Sequence, residues 1–280
     1  MKILAKSAIK KIDIYGKTKI CKDIELQIFN EFNKFNDCVQ SLYDLIISTD
    51  ADIHVVHSPL ISGEDINIEF IENPEDNFRL SKTIELAGKL SDYYNHNIKI
   101  VFHTAFRFEN YEKFPSILEK MEEFIENYLK EYNKIIFCIE NVIPCKVTKD
   151  KKTYMRNGCL YDNVKLVKYL RNKLETDRIQ TVLDTCHAMV SIEFLENAFS
   201  KNYKELFEEF NINLEQFFIE NKDIIGLIHL CDVKNLGYKP KEHGIKFKYD
   251  RLFVFNYIMS MYEKYDYDCD ITIEILRRLY

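Results

Sequence analysis

The sequence predicts an α/β protein that folds as a closed TIM-type (β/α)8 barrel, and three observations support this fold. Eight short apolar runs alternate along the chain with stretches of helical period. The later runs are apolar almost throughout, as expected of parallel strands covered on both faces. The length of 280 residues suits a single barrel. An open doubly wound sheet would also fit the alternation, but the sequence lacks both a glycine-rich turn after its first strand and a GxxxxGK[ST] motif.

The predicted strands are the apolar runs themselves. They span Ile3–Ala8, Ile24–Phe29, Ile53–Val56, Ile98–His103, Ile135–Glu140, Gln180–Asp184, Ile224–Leu230 and Ile271–Ile275. The sequence stops a few residues after the eighth run. We therefore expect the last helix of the barrel to be missing and another element to cover that part of it.

Helices are predicted between these strands, where apolar residues recur with a helical period. They span Phe35–Ile47, Ser81–Tyr94, Pro115–Tyr132, Asp162–Leu174, Ile192–Phe218 and Tyr249–Tyr265, and the fifth is expected to be broken. Pro115 suits the first turn of its helix, where a missing backbone N–H costs nothing. Charged residues along these segments are interpreted as solvated helix faces.

Composition indicates one compact domain over residues 1–280. The chain is 46% hydrophobic and has only 7 glycines and 5 prolines, too few for a flexible linker. It has no cleavage pattern at its start and no run of 18 apolar residues, so we expect a soluble, cytoplasmic protein without a membrane partner. Its 8 cysteines lie singly and are expected to be reduced. Cys138, Cys186 and Cys231 are interpreted as buried thiols, with thiolate ligands as the less favoured alternative.

The net charge argues weakly against a nucleic-acid partner. The formal charge is −6, and no run of lysines or arginines concentrates positive charge. However, the carboxylates of a metal site would contribute to this total, and bound cations would offset them where a phosphate must approach.

Imidazole and carboxylate side chains recur at the downstream ends of the predicted strands. The carboxyl ends of the strands of a parallel barrel meet at one rim, so these side chains are expected to converge. Six separate strand ends of this kind favour one shared metal site over unrelated structural roles. The residues are His57, His103, Glu140, Asp184, His187, His229 and Glu274.

These residues divide into sets that suit different ions. The last four strands supply oxygen and nitrogen ligands appropriate to zinc, manganese or iron(II): Glu140, Asp184, His229 and Glu274. His57 and His103 could hold a second metal, with Glu140 as the bridge. His187 and His243 are left for a third metal or for substrate. His54 and His96 are interpreted as structural or surface residues.

Two longer segments carry a resemblance to a known family. LDTCHA (183–188) resembles the second signature of the endonuclease IV group, the AP endonucleases of family 2 within the xylose isomerase-like barrel superfamily. IHLCDVK (228–234), followed by His243, is similar to the third signature of that group. The short matches HSP, FHT, IEN and IEI keep the same order, so the resemblance spans most of the chain.

The resemblance implies two or three divalent metal ions, usually zinc, on an eight-stranded barrel. It implies these ligand sets: His57, His103 and Glu140 for one metal; Glu140, Asp184, His229 and Glu274 for a second; His187 and His243 for a third.

The sequence departs from the family pattern at three places. The family has a glycine-rich stretch after its last histidine, whereas this chain has GIKFKYD (244–250). The family has an aspartate two residues before its last histidine, whereas this chain has Lys241 there and Glu242 beside it. The family also has a tyrosine-containing DNA loop after its first histidine, whereas His57 is followed by SPLISGED.

Two functions follow from the resemblance. The first is a metal-dependent hydrolase that cleaves phosphodiester bonds at abasic or damaged DNA sites through a metal-bound hydroxide. The second, similar to other branches of the superfamily, is a sugar or sugar phosphate isomerase or epimerase that transfers a proton through an enediolate. The expected catalytic residues are Glu140, Glu274 and His187. A barrel that keeps its ligands but serves as a binding or peptide-modifying protein is a third alternative.

Overall fold

The structure is a computed structural model of the chain. It describes residues 1–29, 31–32, 38–59, 74–104, 112, 115–141, 145–148, 151–155, 160–185, 187–188, 215–233, 243–245 and 253–274. The expectation of a single domain over residues 1–280 stays a prediction.

Eight parallel strands close into a barrel, as the sequence predicts. Around the barrel they follow the order β1, β2, β3, β4, β5, β8, β9 and β12, and β12 pairs again with β1. Each predicted strand is confirmed to within two residues wherever its ends are described. Numbered along the chain, the strands are β1 (Ile3–Ala8), β2 (Asp23–Gln27), β3 (Asp52–His57), β4 (Ile98–His103), β5 (Ile135–Glu140), β6 (Cys145–Thr148), β7 (Lys151–Met155), β8 (Ile179–Asp184), β9 (Ile225–Leu230), β10 (Asp232–Val233), β11 (His243–Ile245) and β12 (Asp270–Ile273).

Helices occupy the connections between the barrel strands. They are α1 (Lys11–Thr18), α2 (Val39–Ile47), α3 (Pro74–Tyr94), α4 (Pro115–Glu131), α5 (Leu160–Lys173), α6 (residues 215–221) and α7 (Phe253–Tyr265). The sequence does not predict α1, in which Ile14 is buried but Ile12 is 79% exposed, so the apolar period is weak. Helix α3 begins seven residues before its predicted start, at a proline that suits a first turn. Most of the predicted helix Ile192–Phe218 lies outside the described residues.

Two short antiparallel strand pairs, which the sequence does not predict, follow barrel strands at their carboxyl ends. Strands β6 and β7 pair after β5, and β10 and β11 pair after β9. The second pairing sets His243 opposite Val233. It therefore brings the backbone of His243 close to the carboxyl end of β9.

The barrel has an outer core between strands and helices and a small apolar layer within its lumen. The lumen layer consists of Leu4, Val55, Val101, Cys138, Val182 and Leu227, one residue from each of six barrel strands. Side chains alternate along a strand, so the residue two positions further also faces the lumen. Those next residues are Lys6, His57, His103, Glu140, Asp184 and His229. The fold thus places an apolar floor directly beneath the predicted ligands.

Beyond β12 the described chain ends at residue 274, and the described residues contain no helix after this strand. Among the described helices, none combines the length and apolar character needed to cross a membrane.

Candidate metal centre

The structure brings six of the sequence-predicted ligands together at the carboxyl rim of the barrel. They are His57, His103, Glu140, Asp184, His229 and Glu274, which end β3, β4, β5 and β8, lie next to the end of β9, or follow β12 directly. His103 is level with Glu140 and Asp184 is level with His229, because these residues pair directly across adjacent strands. Strand register therefore sets each of these two pairs side by side, whereas His57 is level with Val101 and Glu140 with Val182, so the ligand layer is staggered around the rim.

Glu140 lies at the centre of this layer. The Nε2 atoms of His57 and His103 both lie 2.9 Å from its Oε2 atom. The Nδ1 atom of His229 lies 3.1 Å from its Oε1 atom. Three imidazoles from three strands thus face the two oxygens of one carboxylate that is only 2% exposed. Burial acts to raise the pKa of Glu140, but His229 and His103 outweigh it and hold this pKa well below its ordinary value.

The contacts of His57 favour a cation between its ring and Glu140. Its Nδ1 atom lies 2.9 Å from the carbonyl oxygen of Ser58, which can only accept, so Nδ1 carries the proton. In the neutral ring, the lone pair on Nε2 would then point at a carboxylate oxygen of Glu140. Burial and the nearby Lys6 ammonium lower the pKa of His57, which favours this neutral ring. A divalent ion between the imidazole and the carboxylate resolves the repulsion between the two lone pairs, and the donor set therefore fits a metal.

His229 bridges two carboxylates. Its Nε2 atom lies 3.0 Å from Oε2 of Glu25, and its Nδ1 atom faces Glu140 and lies 3.9 Å from Oε1 of Glu274. Burial acts to lower the pKa of His229, but Glu25 and Glu140 raise it well above its ordinary value. In the absence of metal, the ring is therefore an imidazolium, and its positive charge offsets the negative charge of the neighbouring carboxylates.

A second cluster forms where β5 and β8 end. Asp184 accepts a hydrogen bond from the backbone N–H of His187 at Oδ1 (2.6 Å). The Nδ1 atom of His187 donates to the carbonyl oxygen of Asn141 at 2.8 Å, so the lone pair of the neutral ring lies on Nε2. The side chain of Asn141 also accepts from the backbone N–H of Asp184 at 2.7 Å. These contacts fix the loop that carries His187.

Donor atoms in this region form four overlapping groups in which the atoms lie within 4.8 Å of one another. Three groups consist only of predicted ligands, and one includes Glu25. The groups are His57, His103 and Glu140; Glu140, Asp184 and His187; Asp184, His229 and Glu274; and Glu25, His57 and His229.

His243 is described only by its backbone, and Lys241 and Glu242 lie outside the described residues. The role of His243 in a third metal site, and the question whether Lys241 or Glu242 replaces the family aspartate, therefore stay predictions. Cys186 also lies outside the described residues. Cys138 and Cys231 are buried, as predicted, and burial raises the pKa of the Cys138 thiol to about 12.

Sequence reasoning misses Lys6 and Glu25, both of which face the lumen beside the ligands. The Nζ atom of Lys6 lies 3.1 Å from Oε1 of Glu25 and contacts Oε1 of Glu274. Burial opposes the charge on each side chain, but each is stabilised by the opposite charges around it: the pKa of Lys6 is raised and the pKa of Glu25 is lowered. The sequence signal that could have identified both residues is a charged side chain inside an otherwise apolar predicted strand.

His54 and His96 lie at the opposite, amino-terminal end of the barrel, as their interpretation as structural residues requires. Their rings stack at 4.5 Å between centroids. The Nε2 atom of His54 lies 2.7 Å from Asp23, and that of His96 lies 2.9 Å from Asp52. The Lys2 ammonium lies 2.9 Å from Nε2 of His54 and already supplies a cation to this group.

The barrel resembles several solved structures. It superposes on an AP endonuclease of family 2 from Brucella melitensis with a TM-score of 0.57, at 10% identity over 99% of this chain and 93% of that one. It superposes on the IOLI protein, whose structure holds a zinc atom, with a TM-score of 0.58, at 13% identity over 99% and 90%. A sugar phosphate isomerase/epimerase from Parabacteroides distasonis gives 0.51, at 10% identity over 100% and 92%.

The chain therefore shares the eight-stranded TIM-barrel fold of these structures. The resemblance stated from the sequence is confirmed at this level. At such low identity the likeness concerns the fold alone, and it does not distinguish a nuclease from an isomerase or epimerase. No protein-family model matches the sequence, and no curated protein matches it.

Proposed function

We propose that the protein is a divalent-metal-dependent hydrolase that cleaves phosphodiester bonds, with abasic or damaged DNA as its substrate. The observation that carries this proposal is the position of Glu140, whose two oxygens face imidazoles on opposite sides. A carboxylate shared in this way suits a bridge between two ions. A site for one ion has no need of the two additional imidazoles of His57 and His103.

The ligand sets follow the groups of donors. His57, His103 and Glu140 would hold one ion, and Glu140, Asp184, His229 and Glu274 a second. His187 would hold a third ion together with His243. Zinc suits this mixture of imidazole and carboxylate, with manganese or iron as alternatives. The zinc atom in the similar IOLI structure supports the choice.

Charge supports more than one ion. Glu25, Glu140, Asp184 and Glu274 carry four negative charges and Lys6 one positive charge, which leaves three negative charges around neutral imidazoles. With one divalent ion the net charge of the pocket would still be negative, and the pocket would repel a phosphodiester anion. Two would make it positive by one charge, which attracts the anion.

When bound, divalent ions stabilise the charge that develops on phosphate oxygens and lower the pKa of water. The residues of the chain fix the geometry and the exclusion of solvent. Glu140, Asp184 and Glu274 are buried, whereas the side chains of His103 and His187 are 15% and 12% exposed. A substrate would therefore approach from the side of His103 and His187, and His187 is placed to contact it.

A sugar isomerase or epimerase is the second candidate. Glu140 and Glu274 both face the Nδ1 atom of His229, with oxygens 3.1 and 3.9 Å from it. One ion held here would leave either glutamate able to move a proton next to a sugar carbonyl. The similar sugar phosphate isomerase/epimerase supports this alternative.

Metal content followed by substrate turnover tests the proposal. We expect at least two divalent ions per purified chain, and cleavage of a duplex that carries one abasic site. Chelator treatment and Glu140→Gln should abolish that cleavage. One ion or none per chain would refute the hydrolase. One ion per chain, or no cleavage together with entry of solvent deuterium into a ketose, would favour the isomerase.

The expected cytoplasmic location remains part of this proposal, because a reducing compartment suits the single cysteines.

A further inference from the structure

Two barrel strands contribute no predicted ligand to the metal centre, yet they place an ion pair directly beneath it. Lys6 comes from β1 and Glu25 from β2, and their side chains are 8% and 0% exposed. Lys6 also contacts Glu274 on the neighbouring strand β12. Residues of β1 and β2 are thus joined to a predicted ligand and, through Glu25, to His229.

Oε2 of Glu25 accepts two hydrogen bonds, and Oε1 forms an ion pair. Its Oε2 atom accepts from the hydroxyl of Thr272 at 2.6 Å and from Nε2 of His229 at 3.0 Å, while Oε1 faces Lys6 at 3.1 Å. An ionised carboxylate can only accept, so the Nε2 atom of His229 must carry a proton. The lone pair of the neutral ring then lies on Nδ1, the atom that faces Glu140 and Glu274.

We propose that Glu25 is the positioning residue that makes Nδ1 the metal-binding atom of His229, and that Lys6 keeps Glu25 in place as its counter-ion. The inference rests on the proposed metal centre. A ligating histidine commonly donates its other ring N–H to a carboxylate, which fixes the tautomer and the ring orientation. Glu25 supplies that carboxylate from a strand that has no ligand of its own.

Lys6 is needed because a buried carboxylate without a positive partner is costly. With Lys6 absent, Glu25 and Glu274 would both be buried near each other with no ammonium between them. Lys6→Met should therefore lower the melting temperature of the metal-free protein. The double variant Lys6→Met/Glu25→Gln should recover part of that loss, because it removes one of the two carboxylates.

Glu25→Ala and Glu25→Gln test the positioning role. In Glu25→Ala we expect zinc affinity to fall about 10–100-fold, the usual effect of losing such a partner. Glutamine has one accepting oxygen where glutamate has two, so Glu25→Gln should fall between wild type and Glu25→Ala. Zinc binding is measured by competition with a chromophoric chelator, at a temperature well below unfolding.

Nitrogen-15 NMR of histidine in the zinc-loaded protein gives a measurement that would not change if Glu25 had only a structural role. The His229 signal, assigned by its loss in His229→Gln, should show the proton on Nε2 alone in wild type, whereas in Glu25→Ala the other tautomer, with the proton on Nδ1, should also appear. Asp270→Asn is the matched control. This lumen carboxylate pairs with Lys99 at 2.6 Å beneath the apolar layer, and its loss should leave zinc affinity and the His229 signal unchanged.

The outcomes separate this inference from the proposed function. Unchanged zinc affinity and an unchanged His229 tautomer in Glu25→Ala would overturn the positioning role while metal binding stands. A wild-type protein that binds no metal would overturn both. If Glu25→Ala is insoluble, zinc affinity and the His229 tautomer are measured in the isosteric Glu25→Gln instead, with Asp270→Asn as the control.

Discussion

Glu140 is the residue on which the candidate centre depends, because it contacts imidazoles from three different strands. Glu140→Gln keeps the size of the side chain but removes its charge and one accepting oxygen. We expect the variant to lose at least one equivalent of zinc and to have no measurable hydrolysis. Elemental analysis and a cleavage assay check this result, with Asp270→Asn as a control. Near-normal turnover in Glu140→Gln would contradict the bridging role.

His229 predicts how metal binding depends on pH. Because Glu25 and Glu140 outweigh burial and raise its pKa, the metal-free protein holds a proton on this ring that zinc must displace. The affinity for zinc should therefore rise about tenfold per pH unit for each proton displaced, up to that raised pKa. Calorimetry in buffers of different ionisation enthalpy measures the proton release. Release of no proton near pH 7 would contradict this protonation state.

The raised pKa of the same ring also predicts whether the stability of the metal-free protein rises or falls with pH. A raised pKa in the folded state contributes stability that is fully present below the unfolded value, about 6.5, and is lost as the pH rises through the folded value. Glu25 has a lowered pKa, so its contribution is present above the unfolded value, about 4.3, and is lost in acid.

At the scale of elements, the alternation of side chains along the strands explains how much could be predicted. Val55 and His57, or Cys138 and Glu140, lie two residues apart, so a strand that places the first in the lumen must also place the second there. The apolar runs therefore predict both the strands and the ligand layer. Lys6 follows the same alternation, two residues after Leu4, but a lysine is not a metal ligand, so the sequence does not pair it with Glu25 and Glu274. Helix α1 is not predicted because Ile14 is its only buried residue, which gives no apolar period.

Gly226 marks an irregularity between β8 and β9. Thr181 pairs with Ile225 and Val182 with Leu227, so Gly226 is the additional residue of a bulge. A Cβ atom at Gly226 would lie 1.8 Å from Oε1 and 2.9 Å from Cβ of Gln180, too close for the glutamine merely to turn away. This glycine is required by the close approach of two strands that carry Asp184 and His229.

Gly226→Ala should accordingly destabilise the protein by about 1–3 kcal/mol, the usual cost of overpacking. Gln180→Ala removes the nearest atoms and should recover part of the loss in the double variant. Gly16→Ala is the matched control, because a Cβ atom there would have open space around it. Urea unfolding of wild type, the three single variants and the double variant measures these differences. A Gly226→Ala variant as stable as wild type would mean that the strands can separate without cost.

At the scale of the whole molecule, the centre connects parts of the barrel that are far apart in sequence. Glu140 and His229 alone are separated by 89 positions, and six strands from β3 to β12 meet at the ligand layer. In the metal-free protein this layer holds buried carboxylates, and among the described residues Lys6 and protonated imidazole balance their charge. Metal binding should therefore stabilise the closed barrel as a whole and not one loop.

We expect zinc at 100 times its dissociation constant to stabilise the folded state by about 2.7 kcal/mol for each independent site. For a chain of this size, a change of 1 kcal/mol shifts the melting temperature by about 2–4 °C, so the expected rise is about 5–10 °C for each such site. Differential scanning calorimetry with and without a chelator measures it. Glu140→Gln should lose most of the rise because its ligand groups are disconnected, whereas Asp270→Asn should keep it despite a lower starting value. An equal rise in Glu140→Gln and wild type would place the stabilising ion elsewhere on the protein.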